Sequence, residues 1–198
     1  MKIILLSTHN KNKFNEFKII LKDKKINLKY LCDISKVPPK ENGGSFTQNA
    51  IIKSMYAANL MEWKYDCLAD DSGLCIEDLR GEPGIYSSRW APKGNYNKAF
   101  KKIKNKFYSL GKEMNGSNAK FVCKLAYIKK DKTKFEYEGV LEGSLVYPPR
   151  GKLGFGYDSI FIPLGKDKTL AELSGKIKNQ ISHRKKAVDD FLMEQFSN

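Results

Sequence analysis

Asp70 and Asp71 are adjacent carboxylates closing the apolar run Cys67-Leu68-Ala69. Ionised side chains at the edge of a buried strand cost on the order of several kcal/mol unless cations or donors compensate them. They are also hard oxygen donors of the kind Mg²⁺ takes, one or two at a time, with waters and substrate phosphates completing its shell. A helix cap or a plain salt bridge is the alternative use for either residue.

Other segments supply matching chemistry. Thr8, Asn10 and Lys13 lie between an apolar run and a helical pattern, where free backbone N–H groups and a partial positive charge suit a phosphate. The Walker glycines are absent, and Thr8 and Asn10 could equally just cap the helix. Glu41 follows two prolines in a loop, and Lys53 lies farther on in the next helical pattern. Each alone reads as a surface residue, and each gains interest from Asp70 and Asp71. Gly154-Phe155-Gly156-Tyr157-Asp158 sets two aromatics among glycines, which suits a base stacked against a closely approaching backbone, or an aromatic core turn. Ser182-His183-Arg184 places two donor side chains before the last helix. Together these residues point to metal-assisted chemistry on a nucleoside triphosphate.

The elements that must position them follow from pattern. The run 2–7 reads as a buried strand and leads through a polar turn into a helix with Phe14, Phe17, Ile20 and Leu21 on one face. Strand, turn, helix opens an α/β sheet. A second strand is expected at 28–32, a loop at 37–44, and a helix at 45–63 started by a Ser45/Gln48 capping box. A strand at 67–69 is expected to deliver Asp70 and Asp71 at its end. Segment 78–95 reads as irregular, 99–110 as a lysine-faced helix, and 121–129 with 134–146 as a β-hairpin. A short strand at 159–162, a helical turn at 170–173 and a final helix at 181–196 complete the chain. No internal repeat or long linker appears, so all 198 residues read as a single domain.

Bulk composition narrows the function classes. Hydrophobic content of 41% is enough for a core. The net charge of +14 would attract polyanions. Yet 32 of the 36 basic residues are lysine, whereas base-edge readout favours arginine, so composition argues partly against a nucleic-acid role. The four cysteines form no CxxC pair and read as reduced core residues of an intracellular protein, and with two histidines a His-rich metal site is not expected. No apolar stretch approaches a membrane span, and 3–6 is too short for a signal peptide. A cytoplasmic protein without membrane association is expected.

Five motifs then stand in order: Thr8-x-Asn10-x-x-Lys13, Ala69-Asp70-Asp71-Ser72-Gly73-Leu74, Gly81-x-Pro83-Gly84-x-Tyr86, Gly154-Phe155-Gly156-Tyr157-Asp158 and Ser182-His183-Arg184. Together they resemble the inosine triphosphate pyrophosphatase family, hydrolases of non-standard purine nucleoside triphosphates, over nearly the whole chain. The resemblance implies an elongated α/β fold with a long mixed sheet flanked by helices, two lobes with a cleft between them, and a homodimer. It implies Mg²⁺-dependent conversion of ITP, dITP and XTP to the monophosphate and pyrophosphate. By position, Thr8, Asn10 and Lys13 hold the triphosphate, Lys53 and Lys178 reach phosphate, and Ser72 lines the same site. Glu41 and Asp71 bind the metal, and Asp71 is the family's usual proton acceptor; because a metal-bound aspartate is a poor free base, Asp71 is expected to orient a metal-activated water with Asp70 assisting. Phe155, Gly156, Tyr157 and Asp158, with His183 and Arg184, hold the base. His9 stands where the family turn carries glycine, which predicts an altered loop backbone. Competing expectations are a basic nucleic-acid-binding module without catalysis, and a pyrophosphatase for another modified nucleotide.

Overall fold

The computed structural model describes residues 1–22 and 24–196. Six strands form one mixed sheet: β1 (Lys2–Leu6), β2 (Ile26–Tyr30), β3 (Asp66–Ile76), β4 (Asn118–Ile128), β5 (Lys134–Leu145) and β6 (Phe161–Pro163). The order is β2-β1-β3-β4-β5-β6, with β1 parallel to β2 and β3, and β5 antiparallel to β6. The helices are α1 (Lys11–Ile20), α2 (Phe46–Leu60), α3 (Tyr96–Ser109), α4 (Gly175–Ile181) and α5 (His183–Phe196). The α/β class is as expected, and parallel strands linked by helices follow from the opening strand–turn–helix unit.

The chain forms two compact units. The first comprises Met1–Asp71, Cys123–Gly139 and Arg184–Asn198, and the second Ser72–Val122 and Val140–His183. In the first, side chains alternate along the parallel strands. Ile4, Leu6 and Leu68 pack with Phe17 and Ile20 of α1 and with Ala187, Val188 and Phe191 of α5. Leu5 and Cys67 turn the other way, toward Ala57 and Ala58 of α2. The second unit has its own core, in which Leu74, Ile76, Phe121, Leu141 and Phe161 pack with Phe100, Ile103 and Phe107 of α3.

Several boundaries differ from expectation. Strand β3 does not end at Asp70 and Asp71 but runs through them to Ile76, because side chains from distant helices compensate both charges within the strand. The capping box is half formed: the Gln48 N–H donates to Ser45 Oγ at 3.1 Å, but Gln48 Oε1 accepts from Gly44 N–H rather than from Ser45. The last helix starts at His183, since Ser182 is extended (φ −64°, ψ 152°) and separates it from α4. The expected strand at 159–162 begins instead as a 3₁₀ turn over Asp158–Ile160, with β6 following. Segment 78–95 is irregular apart from short 3₁₀ turns.

Candidate active site

The alternation that sorts the core also sorts the two carboxylates. Asp70 shares the parity of Leu68 and faces α1 and α5. Its Oδ2 accepts from Lys13 Nζ at 2.8 Å and from Arg184 Nη2 at 3.2 Å. Arg184 Nη1 donates to Glu16, one turn after Lys13 on α1. Burial alone would raise the Asp70 pKa, but Lys13, Arg184 and Lys53 outweigh it and hold the carboxyl well below the usual range. Burial likewise opposes the charge of Arg184, and Asp70 and Glu16 reverse that, so its pKa is raised.

Asp71 faces α2. Its Oδ1 accepts from Lys53 Nζ at 2.8 Å and its Oδ2 from Asn49 Nδ2 at 3.2 Å. Asn49 and Lys53 are four residues apart, so one face of α2 presents both. Glu41 Oε1 lies 3.6 Å from the same ammonium. Lys53 is therefore flanked by two carboxylates. Burial would lower its pKa, but Asp71, Asp70 and Glu41 raise it.

The first loop is built on local bonds. Asn10 Oδ1 caps α1, accepting from Asn12 N–H at 2.9 Å and Lys13 N–H at 3.2 Å. Thr8 Oγ1 accepts from Asn10 N–H at 3.1 Å. The cap orients the helix turn that carries Lys13. His9 is not among the residues with positive φ, so the turn does not require glycine there.

In the second unit, Asp158 organises the aromatic turn. Its Oδ2 accepts from Phe155 N–H at 2.8 Å and from Lys178 Nζ at 2.5 Å. Gly154 has φ +75°, and a Cβ there would fall 2.2 Å from Asp158 Oδ2, so glycine is needed on both counts. Lys178 Nζ lies 4.5 Å from the Phe155 ring centroid. The Tyr157 hydroxyl donates to Ser87 C=O at 2.8 Å, and its ring packs in the core. Gly156 continues the turn, with φ +71°. The buried His183 ring stacks on Phe121, centroids 4.9 Å apart and planes 11° apart.

The Ham1 family model matches residues 4–194. The chain belongs to the Ham1 family. A Campylobacter jejuni protein named dITP/XTP pyrophosphatase is 42% identical, over 94% of this chain and 93% of its own. A Bacillus subtilis protein of the same name is 41% identical, over 95% and 94%. The solved structure of a HAM1 protein from Coxiella burnetii superposes with a TM-score of 0.85 at 34% identity, over 96% of each chain.

Of the residues singled out from sequence, this Ham1-family chain gathers Lys13, Asp70 and Arg184 on one face of β3, and Glu41, Lys53 and Asp71 on the other. Ser72 follows Asp71 in β3, half-buried, as the first residue of the second unit. Lys178, expected at phosphate, is paired with Asp158 and lies over Phe155. Arg184, expected at the base, is 2% exposed and pairs with Asp70 and Glu16. The structure adds two residues to these clusters that the sequence reading does not name, Glu16 and Asn49. Their signal was present as a spacing of three from Lys13 and four from Lys53. Among the described residues no three His, Cys, Asp or Glu side chains gather as a metal cage, and none of the helices is long and apolar enough to cross a membrane.

Proposed function

We propose that the protein hydrolyses non-standard purine nucleoside triphosphates, ITP, dITP and XTP, between the α and β phosphorus atoms, releasing the monophosphate and pyrophosphate. The observation that carries this reading is the pair of opposed charge clusters on β3: one cation-held carboxylate and one carboxylate shared with Glu41 around Lys53. Phosphoryl chemistry of this kind rests on positioning and electrostatic compensation, which such clusters supply.

The donors fit a magnesium ion. Glu41 and Asp71 offer two hard carboxylates, both within 3.6 Å of Lys53 Nζ, and Mg²⁺ uses one or two with phosphate and water for the rest. When bound, the ion would neutralise phosphate charge and make a nearby water easier to deprotonate. Asp71, held at both oxygens by Lys53 and Asn49, would orient the attacking water. Lys13 and Lys53 neutralise the polyphosphate, and Thr8, Asn10 and Ser72 offer it hydrogen bonds. Asp70 assists by holding Lys13 and Arg184 in place, and its lowered pKa makes it a weak proton acceptor.

Base recognition falls to Phe155, Gly156, Tyr157, Asp158 and His183, with Arg184, while Lys178, held by Asp158 beside Phe155, serves phosphate. A 6-oxo purine presents an acceptor where adenine presents an amino donor. A His183 or Arg184 N–H meeting that amino group would leave buried groups without partners, which disfavours ATP. Phe155 adds stacking affinity for any base.

By family resemblance we also infer a homodimer. The reduced cysteines and the nucleotide substrate favour a cytoplasmic location. The test is a nucleoside triphosphate panel with Mg²⁺, scored for pyrophosphate against phosphate. Pyrophosphate from ITP, dITP and XTP and little from ATP is expected. Phosphate release would mean a phosphatase, turnover of a modified pyrimidine nucleotide alone would shift the substrate class, and no turnover with salt-sensitive DNA or RNA binding would favour the basic module.

A further inference from the structure

Asn49 is a fully buried amide in the first turn of α2, with 0% exposure. A buried amide is costly unless both of its ends are satisfied, and Asn49 uses its two ends on different segments. Its Oδ1 accepts from Gly43 N–H at 2.9 Å. Because a backbone N–H can only donate, the amide orientation is fixed, and Nδ2 is the end that donates to Asp71 Oδ2 at 3.2 Å. Lys53 takes the other oxygen of the same carboxylate, so Asp71 is gripped at both oxygens and cannot rotate freely. Gly43 in turn is two residues from Glu41. A Cβ on Gly43 would lie 2.8 Å from both Asn49 Oδ1 and Gln48 Cβ, so the loop approaches α2 as closely as a glycine allows.

We propose that Asn49 is a positioning residue that holds the Glu41 loop and the Asp71 carboxylate in register, and so sets the affinity of the divalent-ion site. The inference rests on the pyrophosphohydrolase reading for its ion but makes a separate claim. Asn49 touches neither substrate nor reacting atoms and acts through the two carboxylates. Groups that orient metal-binding carboxylates alter ion affinity or activity by about 10- to 100-fold when removed.

The test is Mn²⁺ binding to nucleotide-free protein, followed by the electron paramagnetic resonance signal of the free ion, for the parent, Asn49→Leu and Gly43→Ala. Asn49→Leu removes both bonds at similar volume. Gly43→Ala keeps the amide and pushes the loop away from it, and it decides the matter if the leucine variant does not fold. Thermal midpoints and ITP turnover at saturating Mg²⁺ are recorded alongside. The expected result is Mn²⁺ binding weakened about tenfold or more in both variants, with Mg²⁺ activation of turnover shifted to higher concentration in step. A purely structural role would lower the thermal midpoint and leave ion affinity of the folded protein unchanged. That result overturns the inference while leaving ITP hydrolysis by the parent intact. No Mn²⁺ binding by the parent overturns both the inference and the metal part of the proposed function.

Discussion

Asp70 and Asp71 are neighbours in sequence with opposite surroundings. The α1–α5 face of β3 encloses Asp70 between Lys13 and Arg184, with Glu16 behind them. The α2 face gives Asp71 one ammonium and one amide, and places Glu41 within 3.6 Å of that ammonium. One carboxylate is spent on holding cations, and the other keeps company with a second carboxylate. On the proposed reading, the period of two along a strand makes adjacent, identical residues a structural charge and a working one. An acidic pair in a strand need not act as a pair.

The largest effect expected on the Asp70 face comes from Arg184→Ala. It strands Asp70 and Glu16 without their shared guanidinium, and breaking a buried ion network from one side costs about 3–5 kcal/mol. Chemical denaturation should show that loss, together with a narrowed preference for ITP over ATP. Unchanged stability would mean the pairing contributes nothing. On the Asp71 face, Lys53→Met should lower kcat about 10²- to 10³-fold, as removal of one preorganised donor does, with a loss of stability smaller than that of Arg184→Ala because Asn49 still donates to Asp71 and Glu41 is part exposed. If the two variants instead show similar losses of stability, the division between the faces fails.

On the proposed reading the turn in the second unit serves affinity rather than charge, which sharpens the contrast. Phe155→Ala should weaken nucleotide binding by about 1–3 kcal/mol per lost stack, and equally for ITP and ATP. A change in their ratio would give Phe155 a part in selectivity.

The smallest effect lies at low pH. Asp70 has a native pKa below its unfolded value of about 3.9, so its contribution to stability is complete above roughly pH 5 and is lost as pH falls through the depressed native value. Thermal midpoints of Asp70→Asn should therefore fall less steeply than those of the parent between about pH 4.5 and 2.5. Parallel slopes would assign acid sensitivity to other carboxylates.

Much of this was legible in the sequence. The apolar run into β1, the amphipathic α1 and the alternating β4 and β5 carry their periods openly. The Asp70–Asp71 pair was conspicuous because charge interrupts an apolar run. What the sequence concealed was compensation across long separations. Arg184 meets Asp70 from 114 residues away, so nothing local signals that β3 continues through the charges. Glu16 and Asn49 look like ordinary polar helix residues, and only their spacing from Lys13 and Lys53 hints that they turn inward. Lys178, which the resemblance places at phosphate, also contacts Asp158 and Phe155, and nothing in the local sequence marks that pairing.

Pyrophosphate release from ITP at saturating Mg²⁺, compared between Asp71→Asn and the parent with thermal midpoints recorded, tests the central claim most directly. The account predicts that release falls at least about 10³-fold, since removal of a catalytic group costs that much or more, while the midpoint stays close to the parent. A variant that keeps the parent rate contradicts it.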